Sequence, residues 1–488
     1  MQLIAVAAGV LTVLLGFAGP VGAAPAPPAP DPAVIDRYLA EALAATRLPG
    51  MAVAITHGSR VVHLAGIGTD GRGGRVTPRS QFRLASLSKS FTATAVLQLV
   101  TAGRIDLDAP VRRYLPRFAL ADPGVSARLT VRHLLNQTGG IADAGFPAVT
   151  ADEHDLTRRV ASLRTAEPVS PPGVEFHYSD LNYQVLARLI EVVTGRPWAQ
   201  DLDEEVFAPL GMTSTFATTT AAQAGRVAPD LAQGHVLVFG QPAARPELDG
   251  LVAGSTGVIS TAEDMARWLI AQSPDGGRVL PPSVGALRHH PPPGVVGGYA
   301  MGWQVVTPAH DPRRIEHTGV LSTFSAVQVL LPDSGYGFAL LYNGHSQLAD
   351  TAGVTAGLAA LLSGDGEPDP PRSTTLVSAV IGGVCVLVLL VRVRSLTRIR
   401  SWRRRRAGRP WWTAAPGIVW LILPVVILAG LVELVRVAAA GRVFTFWQLC
   451  LAMPDVAVLL AVAGVTGSTL AVARIAALVR ATEAHAWR

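Results

Sequence analysis

Lysine is almost absent from this chain. Of its 41 basic residues 40 are arginine, and Lys89 is the only lysine. An arginine stays protonated near neutral pH, whereas a desolvated lysine can lose its proton. The solitary lysine is therefore the first residue at which we expect chemistry.

Cysteines and metal-binding patterns are scarce as well. The two cysteines, Cys385 and Cys450, both lie in apolar runs near the C-terminus. We therefore expect neither a disulfide nor a thiol nucleophile in the long N-terminal region. The histidines show no HExxH spacing and no cluster with cysteine, so the sequence predicts no metal ion and no other cofactor.

Charged residues make up only 16% of the 488 residues, while hydrophobic residues make up 49%. This balance excludes a disordered chain and favours a membrane protein. Residues 366–488 carry 15 arginines against 5 acids, and residues 1–365 carry 26 basic against 30 acidic residues. Because the basic excess is confined to a region of apolar runs, we expect no nucleic-acid partner.

The first 34 residues have the composition of an export signal and a linker. Residues 3–18 are apolar and small residues follow up to Ala23, so we predict a signal peptide over residues 1–23. No Lys or Arg precedes the apolar run, which leaves an uncleaved anchor as the alternative. Residues 24–34, rich in Pro and Ala, are a predicted linker.

Three apolar spans follow a second predicted linker at residues 366–373. Within a C-terminal region 374–488 they cover about residues 374–391, 416–435 and 455–478, each near the length that crosses a bilayer. The segment between the first two is rich in arginine. The positive-inside rule makes that segment cytoplasmic and places residues 24–373 outside, in a multi-pass protein of the cell membrane.

Residues 35–365 are predicted to form one α/β (α+β) domain. Hairpins are predicted where paired apolar runs flank turn residues, at 51–56 with 60–66 and at 324–331 with 336–342. Hairpins at both ends imply an antiparallel sheet that contains both termini of the domain. Helical periodicity fills the middle, at 86–101, 181–194 and 261–270.

Ser86 and Lys89 lie at the start of the first predicted helix. Their i, i+3 spacing places both side chains on one helix face, within hydrogen-bonding reach. A serine hydroxyl becomes a nucleophile when a neighbour takes its proton, and an amine does so when burial or another cation lowers its pKa. The alternative is that Ser86 caps the helix and Lys89 is solvated.

The segment 82–93, FRLASLSKSFTA, resembles the S-x-x-K segment of the serine β-lactamase and penicillin-binding superfamily, and more closely its class C β-lactamase, DD-peptidase and esterase branch. The resemblance covers about residues 35–345 and continues at 103–110, 131–140, 172–180, 209–212, 257–264 and 317–319. It implies a β-lactamase/transpeptidase-like fold, with an antiparallel sheet flanked by helices and a helical subdomain.

The resemblance also implies a mechanism in which Ser86 is the nucleophile and Lys89 and Tyr178 share its proton. Which of the two is the base stays open. Asp180 is expected to bind substrate where the family more often has Asn, although an ionised Asp cannot donate to a substrate carbonyl. The alternative is that Asp180 only caps the helix that follows.

His317, Thr318 and Gly319 stand where β-lactamases usually read Lys-Thr-Gly, so the resemblance implies that they bind substrate. A histidine is mostly neutral at pH 7 and anchors a carboxylate less firmly than a lysine. The backbone N–H groups of Ser86 and Val320 are expected to form the oxyanion hole. Residues 136–138 are interpreted as a structural turn.

Together these features predict a membrane-anchored extracytoplasmic serine hydrolase that works through an acyl-enzyme. The expected substrates are small esters, D-amino-acid peptides or peptidoglycan-derived peptides. A β-lactamase or penicillin-binding DD-carboxypeptidase is the first alternative, and Asp180 and His317 weaken the case for β-lactams. The alternative from another class is a non-catalytic binding protein of the cell envelope, in which Lys89→Arg would be harmless.

Overall fold

The computed structural model describes residues 31–142, 155–273, 280–307, 312–366, 368–438 and 444–486, so the predicted signal peptide 1–23 lies outside the described residues. The strands are β1 Gly50–His57, β2 Arg60–Gly68, β3 Phe82–Arg83, β4 Phe216–Ala217, β5 His235–Val238, β6 Gln241–Ala244, β7 Val258–Ser260, β8 Tyr299–Ala300, β9 Trp303–Val306, β10 Arg314–Val320, β11 Ser325–Leu331 and β12 Tyr336–Tyr342.

The helices of the N-terminal domain are α1 Pro32–Thr46, α2 Ser88–Thr101, α3 Pro123–Arg128, α4 Val131–Leu135, α5 Leu156–Ser162, α6 Asp180–Thr194, α7 Trp198–Leu202, α8 Ala224–Val227, α9 Ala262–Gln272, α10 Pro282–Gly285 and α11 Thr351–Ser363. Those of the C-terminal region are α12 Thr374–Thr397, α13 Ile399–Arg405, α14 Ala415–Ala429, α15 Leu431–Ala438, α16 Phe446–Ala452 and α17 Pro454–Ala486.

The domain is organised around one antiparallel sheet of seven strands in the order β2-β1-β12-β11-β10-β9-β8. Both predicted hairpins are present in it, as β1–β2 and β11–β12. Strand β1 pairs with β12, with Val53 opposite Leu340. The prediction that one sheet contains both ends of the domain is therefore confirmed.

Alternate side chains of the sheet pack into two separate cores, as the period of two along a strand requires. On β1, Val53 belongs to a core shared with α1 and α11. Its neighbour Ala54 faces the other core, which contains Phe91 of α2 and Trp268 of α9. The result is three layers, with helices on both faces of the sheet.

The predicted helical subdomain corresponds to the run from α2 to α8, where β4 is the one strand among the described residues. Helix α6 is bounded by local signals. The Ser179 hydroxyl accepts a hydrogen bond from the Leu181 N–H at 3.2 Å, and Gly195 ends the helix with φ +77°, a conformation that glycine adopts without steric cost. The helix cap is Ser179, so the alternative that Asp180 caps this helix is wrong by one residue.

Among the described residues, the C-terminal region contains three helices long and apolar enough to cross a membrane: Thr374–Thr397, Trp411–Ala429 and Pro454–Val479. The second runs over residues 411–429 where about 416–435 is predicted, because the helix breaks at Gly430 and resumes as α15. Few residues of the first two are buried in the protein. Apolar side chains therefore cover the outside of this bundle.

One buried carboxylate joins the bundle to the N-terminal domain. Asp455, at the start of α17, is 1% exposed. Its Oδ1 accepts a hydrogen bond from the Phe239 N–H in the β5–β6 turn at 2.6 Å, and its Oδ2 accepts one from the Ser378 hydroxyl of α12 at 2.7 Å. The Gln347 N–H also donates to the Ala452 carbonyl at 3.0 Å. The start of α17 is thus fastened to the domain.

Candidate active site

Ser86 lies in a turn of 3-10 helix, Ala85–Leu87, directly before α2. The turn is held from both sides: the Leu84 N–H donates to the Val258 carbonyl at 2.9 Å, and the Ser88 hydroxyl donates to the Ala85 carbonyl at 2.7 Å. Ala85 has φ +51°, a left-handed conformation that residues with a Cβ rarely adopt. The surrounding structure therefore holds the backbone before Ser86 in a strained conformation.

Strand β10 passes directly against this turn. A Cβ added at Gly319 would lie 2.3 Å from the Leu84 carbonyl oxygen and 3.0 Å from the Ala85 Cβ. Only glycine allows this approach, which brings the backbone of β10 next to the turn that carries Ser86. The structure thus gives Gly319 a packing role, and its substrate-binding role stays a prediction.

The amine of Lys89 is fully buried beside Ser86. Its Nζ lies 3.1 Å from the Ser86 Oγ, 2.5 Å from the Asp180 Oδ1 and 3.2 Å from the Ser255 carbonyl oxygen. The i, i+3 spacing does bring Ser86 and Lys89 within hydrogen-bonding reach. Ser86 itself is only half-buried, so its hydroxyl can meet a substrate while the amine cannot.

Asp180 favours the protonated form of the Lys89 amine. Burial lowers the pKa of the Lys89 amine. The electrostatic effects of Asp180 and Tyr178, and the hydrogen bonds to these two residues, raise it by more, so the pKa of Lys89 lies above its ordinary value. A lowered pKa, the condition under which Lys89 could take the proton of Ser86, is therefore not met in this structure. A carboxylate within 2.5 Å stabilises the ammonium form more than burial destabilises it.

Tyr178 stands in the loop before α6, with its ring centroid 4.9 Å from the Lys89 Nζ. Gln137 holds this loop on both sides of the tyrosine. The Gln137 carbonyl accepts from the His177 N–H at 2.8 Å, and its side-chain Oε1 accepts from the Ser179 N–H at 3.0 Å. The turn at residues 136–138 is structural, as predicted, and it holds the loop that carries Tyr178.

His317 faces the same cluster from β10. Its ring centroid lies 6.1 Å from that of Tyr178, and its Nε2 lies 3.1 Å from the Tyr299 hydroxyl. Burial, followed by the charge of Lys89, lowers the pKa of His317 to about 3, so the ring is neutral at pH 7. The His317 Nδ1 lies 2.8 Å from the Thr318 carbonyl oxygen, so both ring nitrogens have protein partners, and a neutral imidazole brings no positive charge to a substrate.

Thr318 lies on the opposite face of β10. With Val320 it lines a cavity of about 120 Å³ between β10, β11 and α11. Side chains alternate along a strand, so the structure brings His317, and not the side chain of Thr318, to the side of the sheet on which α2 packs. A substrate contact of Thr318 stays a prediction.

Sequence reasoning missed the Lys89–Asp180 ion pair and the roles of Gln137, Tyr299 and the Ser255 carbonyl. Lys89 and Asp180 are 91 residues apart, and no spacing rule links them. A charged residue at the start of a helix was the one available signal for Asp180, and it also fits a simple helix cap.

A family model for beta-lactamases matches residues 35–361. The chain belongs to the beta-lactamase family. Over 315 residues it is 33% identical to penicillin-binding protein 4 of Amycolatopsis lactamdurans, covering 61% of this chain and 81% of that protein. It is 27% identical over 328 residues to protein flp of Staphylococcus aureus strain MW2. That match covers 64% of this chain and only 63% of the length of the flp protein.

The fold of this beta-lactamase family member is also found among solved structures. The penicillin-binding protein homologue from Pyrococcus abyssi superimposes with a TM-score of 0.61 at 22% identity, over 72% of this chain and 81% of that one. At this identity the likeness shows the fold alone. With the family match, it establishes the β-lactamase/transpeptidase fold and a serine hydrolase.

Proposed function

We propose that this chain is a membrane-anchored, extracytoplasmic serine hydrolase that forms an acyl-enzyme on Ser86. The observation that carries the proposal is the contact of 3.1 Å between the Ser86 Oγ and the buried Lys89 Nζ, with Asp180 on the other side of the amine. A binding protein has no need of a buried, paired lysine against a half-exposed serine.

In the proposed reaction, the Ser86 Oγ attacks a carbonyl carbon while its proton passes to the oxygen of Tyr178, which enters this step as a phenolate. Lys89 stays an ammonium because of Asp180, orients the Ser86 Oγ and stabilises the negative charge that develops. The N–H groups of Ser86 and Val320 hold the oxyanion. The leaving group takes the proton from Tyr178, and water then breaks the acyl bond and returns a proton to Ser86.

The proposed substrates are esters or D-amino-acid and cell-wall peptides. Neutral His317 leaves no cation at the position where β-lactamases usually have a lysine for the substrate carboxylate, which favours substrates that do not rely on that contact. By its name, the relative penicillin-binding protein 4 binds a β-lactam, which supports the alternative of a β-lactamase or penicillin-binding DD-carboxypeptidase. A chromogenic ester, a D-Ala-D-Ala peptide and a chromogenic cephalosporin compared at equal concentration test this ranking, and fastest turnover of the cephalosporin would overturn it.

The C-terminal helices support an orientation in the membrane. The arginines of α13 follow the end of α12, whereas Ser378, near its start, contacts Asp455 beside the hydrolase domain. The arginine-rich end therefore lies away from the domain, as a cytoplasmic end does under the positive-inside rule. Protease added to spheroplasts should cleave the linker at residues 366–373 and leave the arginine segment intact, and the opposite pattern contradicts the orientation.

A fluorophosphonate, which modifies activated serines, tests the proposal of catalysis. The full chain in detergent is labelled and weighed intact beside Ser86→Ala and a matched control, Ser322→Ala, in a loop after β10. We expect one adduct on the parent chain and on the control, and none on Ser86→Ala. A folded parent chain without an adduct would favour the non-catalytic binding protein.

A further inference from the structure

A second cavity lies at the far end of the sheet from Ser86. Its volume is about 410 Å³, within the range of small-molecule sites. Its walls come from the end of α9, the turn of 3-10 helix at Ala286–His289 and the turns of both hairpins. Apolar side chains provide most of the lining: Leu280, Ile315, Leu330, Leu331, Pro332 and Tyr336.

One cation, Arg288, is buried in the wall of this cavity and is 5% exposed. Its Nε donates to the Gly285 carbonyl at 3.1 Å and its Nη1 donates to the Gln272 Oε1. Within the described ranges no carboxylate pairs with it. Arg314 is buried to a similar degree but has the Glu316 carboxylate at 2.8 Å.

A buried guanidinium without an acid is costly, because burial removes its water and it cannot shed its proton at ordinary pH. Burial lowers the pKa of Arg288 only to about 10, so the side chain is still charged at pH 7. Its Nη2 has no acceptor among the residues that the structure describes. The cavity therefore presents free N–H donors of a cation to whatever enters it.

Two further polar atoms at this cavity lack partners. The Nε2 atoms of Gln272 and His289 are buried and make no hydrogen bond within the described part of the chain. Burial, followed by the charge of Arg288, lowers the pKa of His289 to about 3, so this ring adds no charge. Arg288 thus supplies a single positive charge among mostly apolar walls, which suits a singly charged anion with an apolar body.

We propose that this cavity binds a small monocarboxylate with an apolar chain, its carboxylate on Arg288. A carboxylate matches the guanidinium with two parallel hydrogen bonds. Tyr336, at the cavity, begins β12, and Tyr342, at the opposite end of that strand, leads to Gln347, which contacts the C-terminal helices. The cavity therefore lies away from the bundle, and its ligand comes from the aqueous phase.

Octanoate and octan-1-ol test the proposal, since they share a chain and differ in charge. The full chain carries Ser86→Ala and sits in lipid nanodiscs, so that failure of the catalytic proposal cannot affect the result. Titration calorimetry should show one saturable octanoate site with an affinity at least about tenfold above that for octanol. Equal affinity for the two compounds, or no octanoate site, overturns the proposal, and this result needs no variant of Arg288.

Variants of Arg288 then locate the site. Arg288→Gln should weaken octanoate binding at least about tenfold, and Arg288→Lys, which keeps the charge, should weaken it less. Partition of octanoate into the nanodisc lipid is the same for every variant and cancels. On the chain with Ser86 intact, Arg288→Gln should leave ester turnover unchanged. Octanoate binding that survives Arg288→Gln at full strength places the site elsewhere and contradicts the proposal.

Discussion

The hydrolase domain and the C-terminal helices place apolar side chains in opposite ways. In the domain, neighbouring strand residues such as Val53 and Ala54 are both fully buried, one in each core. In α12 only 6% of the apolar stretch that could cross a membrane is buried within the protein, and Leu376 and Leu387 are exposed. Apolar side chains that face outward suit an apolar solvent, so the first region suits water and the second a bilayer.

A buried carboxylate of the domain and one of the C-terminal helices have different partners. Asp180 meets the ammonium of Lys89, whereas Asp455 accepts hydrogen bonds from a neutral N–H and a neutral hydroxyl. Loss of one ion of a buried pair leaves an uncompensated charge, and loss of a hydrogen-bond acceptor costs less. We therefore assign the first carboxylate to the proposed active site, whereas the second holds two regions together.

The largest effect is expected at the charged pair. Lys89→Met should lower kcat/KM for an ester by about 10²- to 10⁴-fold. It should also lower the free energy of unfolding by about 3 kcal/mol, because Asp180 is left buried without its cation. Steady-state kinetics and denaturant unfolding measure the two effects. Adding Asp180→Asn to Lys89→Met should restore stability and not activity, and a parallel recovery of both would refute the assignment.

A smaller effect is expected at Gln137, which positions Tyr178 without touching the reacting atoms. Gln137→Met removes the side-chain acceptor and should lower kcat about tenfold with little change in KM, since misplacement of a proton acceptor slows the chemical step. The matched control is Gln304→Met on an exposed stretch of β9. An unchanged kcat in Gln137→Met would mean that the tyrosine loop is positioned by other contacts.

Asp455→Ala should loosen the junction between the regions and spare catalysis. When the carboxylate that accepts from the Phe239 N–H is removed, the amides of the β5–β6 hairpin should exchange with deuterium about tenfold faster. This rate change corresponds to a loss of about 1.4 kcal/mol in the free energy of local opening. We expect kcat/KM to change less than twofold. Asp369→Ala, in the exposed linker, is the control. Unchanged exchange in the hairpin would show that the other contacts suffice to hold the junction.

The smallest expected effect is a dependence of folding stability on pH, and it should be confined to the hydrolase domain. Burial is the main cause that lowers the pKa of His289 and His317 to about 3 and that of His345 to about 4. The unfolded chain binds protons at these positions near pH 6.5 and the folded domain does not, so stability is complete above pH 6.5 and declines as the pH falls toward 5. The span helices, which have no histidine, should not contribute.

The melting temperature of the domain, followed from pH 7 to pH 5, measures this decline. His345→Gln lies outside the candidate active site and should make the decline shallower. A melting temperature that stays constant over this range in the parent chain would contradict the neutral, buried state of the three rings.

Local features of the fold were predictable because local residues determine them. Turn residues between apolar runs locate both hairpins, and Gly195 marks the end of α6. The contact between Ser86 and Lys89 follows from helix geometry alone. Each of these features depends on residues within a few positions of one another, so one stretch of sequence contains the whole signal.

Contacts across the fold were not predictable in this way. Asp180 helps to raise the pKa of Lys89 against the effect of burial, and it does so from another helix. Gln137 holds the backbone on both sides of Tyr178, and it does so from a turn that resembles any surface turn in sequence. The Thr318 side chain faces away from α2 because successive side chains of a strand point to opposite faces, and its neighbour His317 faces α2. Such juxtapositions depend on how elements pack, which periodicity and spacing do not specify.

The most direct test of the central claim is to trap the acyl-enzyme. The full chain is mixed with a p-nitrophenyl ester, quenched in acid within the first turnover, digested and analysed by mass spectrometry. We predict an acyl group on the peptide that contains Ser86, with a burst of nitrophenol equal to the amount of enzyme. Hydrolysis of the ester at a normal rate with no acyl group on Ser86, or with Ser86→Ala still active, would contradict the account.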